Sequence, residues 1–298
     1  MSPAMRALLA LIAVTAVWGV TFVQVKDAVA LYPLFAFLAV RFAIAALVLA
    51  PPAAGRMRSL GRPGWVAGVS LGLLLAAGYG LQTAGLDRTT VSNAGFITGL
   101  YVVFTPLLAL ALFRTRVGGA VWVGVALAVA GLAMLSGVSA GDPVGDLLVL
   151  AGSAAYSVQI VLMERYSPRY DALAFTQAEM LAAFAGFAAV AVALGQVDLP
   201  RGWTVWGALL VTGVFASALA FLVQTWAQQR ASATQTALAF AMEPVFAGLF
   251  GFWLAGDRLG VIGWSGCAVI MAGILVAEPE AGRTLRRLVS RSGTEATL

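Results

Sequence analysis

The sequence predicts an all-α integral membrane protein: ten transmembrane helices arranged as two inverted-topology repeats of five. Three observations carry this. The chain is 61% hydrophobic and 10% charged, with a mean hydropathy of +0.94, whereas soluble globular chains carry about 25% charged residues. There are too few polar residues to clothe a soluble fold of this length. Ten apolar segments approach the roughly 20 residues that a helix needs to cross a bilayer. Finally, the chain matches itself at two fixed spacings.

The ten segments are 5–25, 34–50, 63–83, 91–113, 118–137, 145–164, 172–195, 203–226, 234–254 and 259–277. Short connections carrying Pro, Gly, Asp and Arg separate them. The first could be read as a secretory signal, with Ala28-Val29-Ala30 imitating a cleavage site. Its apolar run exceeds a usual signal core, and it has a counterpart later in the chain, so it is read as a span. The second carries Arg41 in an otherwise apolar run. The third and eighth open on Trp65 and Trp203, placed as interfacial anchors. The fourth contains Pro106. The fifth and tenth carry Ala126-x-x-x-Ala130 and Ala268-x-x-x-Ala272, small-residue pairs that predict close packing of these two helices, within one chain or across a dimer. The sixth holds Tyr156 and the seventh Glu179. The ninth contains FAMEPVFAGLFGFW, Phe240–Trp253, with Glu243 and Pro244 side by side at mid-length.

The self-match sets the domain organisation. At a spacing of 138, Trp18 meets Tyr156, Phe37 meets Phe175, Arg41 meets Glu179, and Gly64-Trp65 meets Gly202-Trp203. At 142, Gln82-Thr83 meets Gln224-Thr225, Arg88 meets Arg230, Arg116 meets Arg258, Trp122 meets Trp264, and Ala130-Gly131 meets Ala272-Gly273. The four-residue change of register, about one helical turn, falls inside the third and eighth helices. The expected units are a first repeat over 1–140, a second over 141–278, and a basic tail over 279–298. Five helices per repeat is odd, so the second repeat enters the membrane from the opposite side, an arrangement typical of secondary transporters.

Lys and Arg set the orientation. With the N-terminus cytoplasmic, 13 basic residues fall on the cytoplasmic side: Arg6, Arg56, Arg58, Arg62, Arg114, Arg116, Arg165, Arg169, Arg230, Arg283, Arg286, Arg287 and Arg291. Four, Lys26, Arg88, Arg201 and Arg258, fall on the other, and Arg41 lies within the membrane. The sequence therefore predicts a multi-pass protein of the cell membrane, the bacterial inner membrane, with both termini cytoplasmic. This topology explains the basic balance without nucleic acid. The expected partners are lipid and a small-molecule substrate, with proton coupling possible, in a monomer or weak dimer. A single cysteine, Cys267, and the absence of histidine exclude an internal disulfide, a His-based metal site and a Ser-His triad. No paired aspartates, HExxH, GxSxG or P-loop occurs. No metal, cofactor or catalytic residue is expected.

Four stretches resemble the EamA family of the drug/metabolite transporter superfamily: Trp18-Gly19, RFAIAA at Arg41–Ala46, TTVSNAGFITGLYVVFTPLL at Thr89–Leu108, and MEPVFA at Met242–Ala247. Met242 stands where Leu is common. The resemblance covers essentially the whole chain. It implies ten helices, two inverted repeats and transport of small metabolites, with amino-acid export of the YddG-like kind as its narrower implication.

Candidate site residues follow from the cost of polar groups in hydrocarbon. Pro244 frees a backbone carbonyl near Phe240, which must face protein or a water-filled cavity. Pro106 is expected to break the fourth helix in the same way. Arg41, Glu179 and Glu243 are the charges well inside helices. Arg41 and Glu179, as repeat equivalents, are expected to pair structurally. Glu243 can bind a substrate amino group, carry a proton or bond a neighbouring helix end. Trp18, Tyr79, Gln82, Asn93, Tyr101, Tyr156, Gln159 and Gln224, with Thr236, are expected around a cavity for small polar metabolites. For each of them an interhelical hydrogen bond is an equal alternative.

Overall fold

The computed structural model describes residues 2–136, 142–250, 253 and 260–277. Arg258 and the basic tail 279–298, with its four arginines, lie outside the described residues. Within the described residues the chain is helical and no strand occurs. Eight helical runs there are long and apolar enough to cross a membrane. Their surfaces stay apolar away from the loops: Leu47 is 71% and Leu73 51% exposed well inside their helices, a distribution that lipid contact accommodates without aggregation.

The first three runs are α1 (Pro3–Val29), α2 (Leu34–Ala53) and α3 (Gly61–Leu86). The fourth is two pieces, α4 (Val91–Gly99) and α5 (Tyr101–Phe113), followed by α6 (Gly119–Ser136). Next come α7 (Pro143–Tyr166) and α8 (Ala172–Ala193). The run Trp203–Gln228 comprises α9 (Trp203–Gly213), a π-helical segment at Val214–Leu219, and α10 (Ala220–Gln228). Two half-length helices, α11 (Ala233–Phe240) and α12 (Glu243–Phe250), precede α13 (Val261–Ala277), an apolar helix of 17 residues.

Element boundaries follow the spacings in the sequence. Leu34 and Ala172, which open α2 and α8, are 138 apart. The starts of α4 and α11, of α5 and α12, and of α6 and α13 are each 142 apart, as are the ends of α3 and α10. Local chemistry repeats too. Thr90 caps α4 by accepting from the Asn93 amide, and Ser232 caps α11 by accepting from the Gln235 amide, which satisfies orphan donors of the first turn. From Trp65 to the end of α3 there are fewer residues than from Trp203 to the end of α10, and the wide π turns lie inside that longer stretch.

The breaks correct one expectation. Pro244 stands in the first turn of α12, where its missing N–H costs nothing, directly after the turn at Ala241-Met242. Pro106 does not break its helix. It lies inside α5, and the interruption falls earlier, at Leu100. Leu100 and Met242 are 142 apart, so the interruption recurs at equivalent positions while the prolines do not.

Helices α6 and α13 pack against each other more extensively than any other pair. The contact is made by glycine, not by the expected alanine pairs. Gly124 meets the Gly273 carbonyl and Gly131 meets the Gly266 carbonyl, an antiparallel match of positions 142 apart. Ala126, Ala130, Ala268 and Ala272 point away and are exposed, because the contact face is set by the seven-residue glycine spacing rather than by i, i+4 alanines.

Loop contacts sort the two ends of the bundle as the charge pattern does. On one face, Arg56 pairs with Asp171 at 3.1 Å, Gln229 donates to the Ser167 and Tyr170 carbonyls, and Arg165 lies over the Phe113 ring. On the other, Tyr32 donates to the Asp198 carbonyl and Arg88 approaches Asp142 at 4.0 Å.

Candidate functional site

Of the three apolar clusters among the described residues, two flank the site. One joins α1, α5, α6, α7, α11 and α13; the other joins α2, α8, α9 and the π segment. Between them lies a cavity of about 620 Å³, in the range of small-molecule sites. Trp18 touches both clusters and stands at the boundary, edge-on to Phe240 at 4.9 Å and tilted to Phe221 at 5.8 Å.

The cavity wall gathers Trp18, Tyr79, Gln82, Tyr101, Tyr156, Gln159, Gln224 and Glu243, so these sequence candidates do meet around one space. Several are repeat equivalents on the same wall: Trp18 with Tyr156, Gln82 with Gln224, and Tyr101 with Glu243. Three candidates lie off the wall. Asn93 is buried in the first turn of α4, where its side-chain amide reaches Asp146 at 3.5 Å. Thr236 bonds the Ser232 carbonyl within its own helix. Glu179, fully buried on α8, is behind the wall.

The expected Arg41–Glu179 pair is not formed. Glu179 accepts from the Gln159 amide at 2.7 Å through one oxygen, and its second oxygen has no partner. Arg41 turns the other way, onto the cavity wall. Its Nε donates to Ser217 Oγ at 2.8 Å, and Nη2 reaches Tyr79 Oη and the Ala216 carbonyl, each at 3.4 Å. Its guanidinium lies 4.9 Å from the Tyr79 ring centroid, a favourable cation–π arrangement. The reason lies in the π segment. A backbone that steps out of α-helical register leaves carbonyls to be satisfied elsewhere, and Ala216 O receives both Arg41 and the Trp18 indole N–H at 2.8 Å. Ser217 adds the hydroxyl. No carboxylate takes part.

Polar side chains continue the wall in bonded chains. Tyr156 donates to Gln82, and Gln82 to Thr98. Gln224 donates to Gln159 and Gln228, and Gln228 to the Ile160 carbonyl. Sequence reasoning missed the ring of hydroxyls nearer one end: Thr21, Thr83, Thr89, Thr90 and Thr98. Threonine is ordinary in membrane helices and commonly bonds its own backbone, so no signal marked these positions.

Among the described residues the cavity runs to one face. Its outer wall includes the exposed residues Ala30, Asp87 and Thr90, on the face that carries the α1–α2 and α3–α4 turns. Toward the opposite face the space ends at Ile160 and Phe240. Beyond them Glu164 accepts from the Ala233 amide at 2.9 Å, tying α7 to the start of α11. At the open face the equivalent tie joins Thr89 to Asp146. Helix α7 therefore holds the first turn of α11 at one end and the approach to α4 at the other. Among the described residues no group of His, Cys, Asp and Glu is arranged to hold a metal ion.

Comparison with known proteins gives a consistent result. Residues 5–137 and 143–277 each match the EamA-like transporter family. An "uncharacterized transporter" of Archaeoglobus fulgidus is 32% identical over 273 residues, covering 90% of this chain and 84% of the relative. The Escherichia coli "uncharacterized inner membrane transporter YedA" is 29% identical over 278 residues, covering 90% and 89%. A crystal structure superimposes with a TM-score of 0.78 at 23% identity, over 94% of this chain and 99% of the other; at that identity the likeness concerns the fold alone.

Proposed function

Because the chain belongs to the EamA-like transporter family, a family of carriers rather than enzymes, we propose that it is a secondary transporter of small metabolites, foremost amino acids, in the direction of export. It works by alternating access around the central cavity. The carrying observation is a closed-ended cavity of about 620 Å³ with both signs of charge on its wall. Ten membrane crossings suit the helices: eight long runs, α13, and the broken pair α11–α12. The repeated boundaries and paired interruptions support two inverted repeats of five, units 1–140 and 141–278, meeting at the cavity. The relative in the Escherichia coli inner membrane supports the same location here, with both termini cytoplasmic by the charge pattern. On that topology the open face is the outer one, so the arrangement is the outward-facing state. Glu164 on the α11 amide and the Arg56–Asp171 pair belong to the closed inner side.

Uptake into proteoliposomes tests this. A panel of radiolabelled amino acids, with and without a pH gradient, should give saturable flux for at least one of them, and dependence on the gradient would identify proton coupling. Flux only of another class, such as purines or sugar derivatives, replaces the amino-acid reading and keeps the carrier. Electrical conductance without saturation replaces the carrier by a channel.

A further inference from the structure

The cavity carries a cation and a carboxylate that the protein leaves apart. Arg41 is 4% exposed, yet its bonds go to a hydroxyl, a phenol and a carbonyl, none of them anionic, and Nη1 has no partner among the described residues. Glu243 opens α12 on the same wall and accepts no hydrogen bond from the described residues. The ion pairs among those residues are Arg56–Asp171 and Arg88–Asp142, so Arg41 and Glu243 are not bonded to each other. Both stand on the wall of the same cavity.

Desolvated charges without a partner are costly, and in membrane proteins they mark ligand paths. Two of opposite sign on one cavity match a ligand with both signs. We propose that Arg41 takes the carboxylate and Glu243 the ammonium of a zwitterionic substrate, so that neither charge remains uncompensated when the cavity is filled. The guanidinium suits the first role because its planar donor fork matches a carboxylate, and Ser217 with the π-segment carbonyl fixes its orientation. Trp18, Phe221 and Phe240 then face the substrate's apolar side chain. This rests on the amino-acid reading above and assigns its two recognition groups.

The test uses one carbon skeleton in three forms: L-leucine, 3-methylbutylamine, which lacks the carboxylate, and 4-methylpentanoate, which lacks the amino group. Each competes against a radiolabelled amino acid that the wild-type protein moves in proteoliposome counterflow. In the wild type, leucine should compete at least tenfold better than either analogue. Arg41→Gln should collapse leucine's advantage over the amine and keep its advantage over the acid; Glu243→Gln should do the reverse. A selective change of preference cannot come from misfolding. Should either variant fail to insert, the wild-type comparison still decides, since equal competition by all three compounds overturns the proposal. It is also overturned if both variants are active with unchanged preferences. If no amino acid in the panel moves at all, the amino-acid reading falls and this assignment with it; if amino acids move but preferences ignore both residues, only the assignment falls.

Discussion

At the scale of single residues, polar groups in this fold are understood by asking what each is bonded to. Glu179 and Arg41 are repeat equivalents that go separate ways, one to Gln159 and one to Ser217. With no shared partner, the stability losses of Arg41→Ala and Glu179→Ala should add within about 0.5 kcal/mol in the double variant, measured by thermal unfolding in detergent. Recovery in the double variant would restore the pairing that the sequence suggests. Glu179→Ala alone should cost about 1–3 kcal/mol, the penalty for an unsatisfied buried Gln159 amide, and Glu179→Gln should cost less. Ser217→Ala removes a bond to a charged group, worth about 1.5–3 kcal/mol, and should weaken substrate affinity as well as stability. The cavity residues were largely legible in the sequence, because Glu243 and the mid-depth aromatics and amides stand out against hydrocarbon. The partner of Arg41 was not. Ser217 and Ala216 look unremarkable in sequence and become acceptors only through the π turns around them. Asn93 was misjudged for a related reason: an amide in an apolar segment does not reveal which way it points, and here it sits in the first turn of α4, bonded to Asp146.

At the scale of elements, breaks and glycine contacts decide the architecture. The interruption at Leu100 is invisible as a proline signal, since Pro106 lies farther along an intact helix. It is legible only through the 142-residue match to Met242. The seam between α6 and α13 gives a sharper expectation. A Cβ on Gly131 would lie 2.6 Å from the Gly266 carbonyl and one on Gly124 2.6 Å from the Gly273 carbonyl. Gly131→Ala or Gly124→Ala should therefore force the helices apart at about 1–3 kcal/mol, the usual cost of overpacking, and lower the melting temperature. Ala126→Leu and Ala130→Leu, on the outward side of the same helix, should be tolerated in the same assay. The reverse ranking would mean that the alanine faces, not the glycine faces, form the contact.

At the scale of the whole molecule, the prediction is sidedness. In a Cys267→Ser background, cysteine at Asp142 or at Asp87 should react with an impermeant reagent on intact cells, and cysteine at Pro168 only after lysis. Asp87 borders the open mouth, so its labelling should slow when a transported substrate saturates the cavity; Asp142 should be unaffected. Labelling of Pro168→Cys from outside would reverse the orientation read from the arginines. The all-helical, membrane-spanning character was the most legible in the sequence, because hydropathy is an average over many residues. The state in which the cavity opens was not legible, because it depends on loop-to-helix bonds such as Glu164 to the Ala233 amide.

The unequal repeat equivalents, Tyr101 matched by Glu243 on the cavity wall and Arg41 on that wall matched by Glu179 behind it, also have a kinetic meaning. A scaffold whose halves exchange shapes would offer the same site to both compartments if its side chains matched. Here they do not, so the outward and inward sites are chemically distinct and their half-saturation concentrations should differ. For uncoupled flux the Haldane relation then requires maximal velocities in the two directions to differ by the same ratio. A carrier of this build is thus faster at high load in the direction with the higher half-saturation concentration, while at low load both directions run at the same rate per unit of substrate, with no gradient spent to make it so.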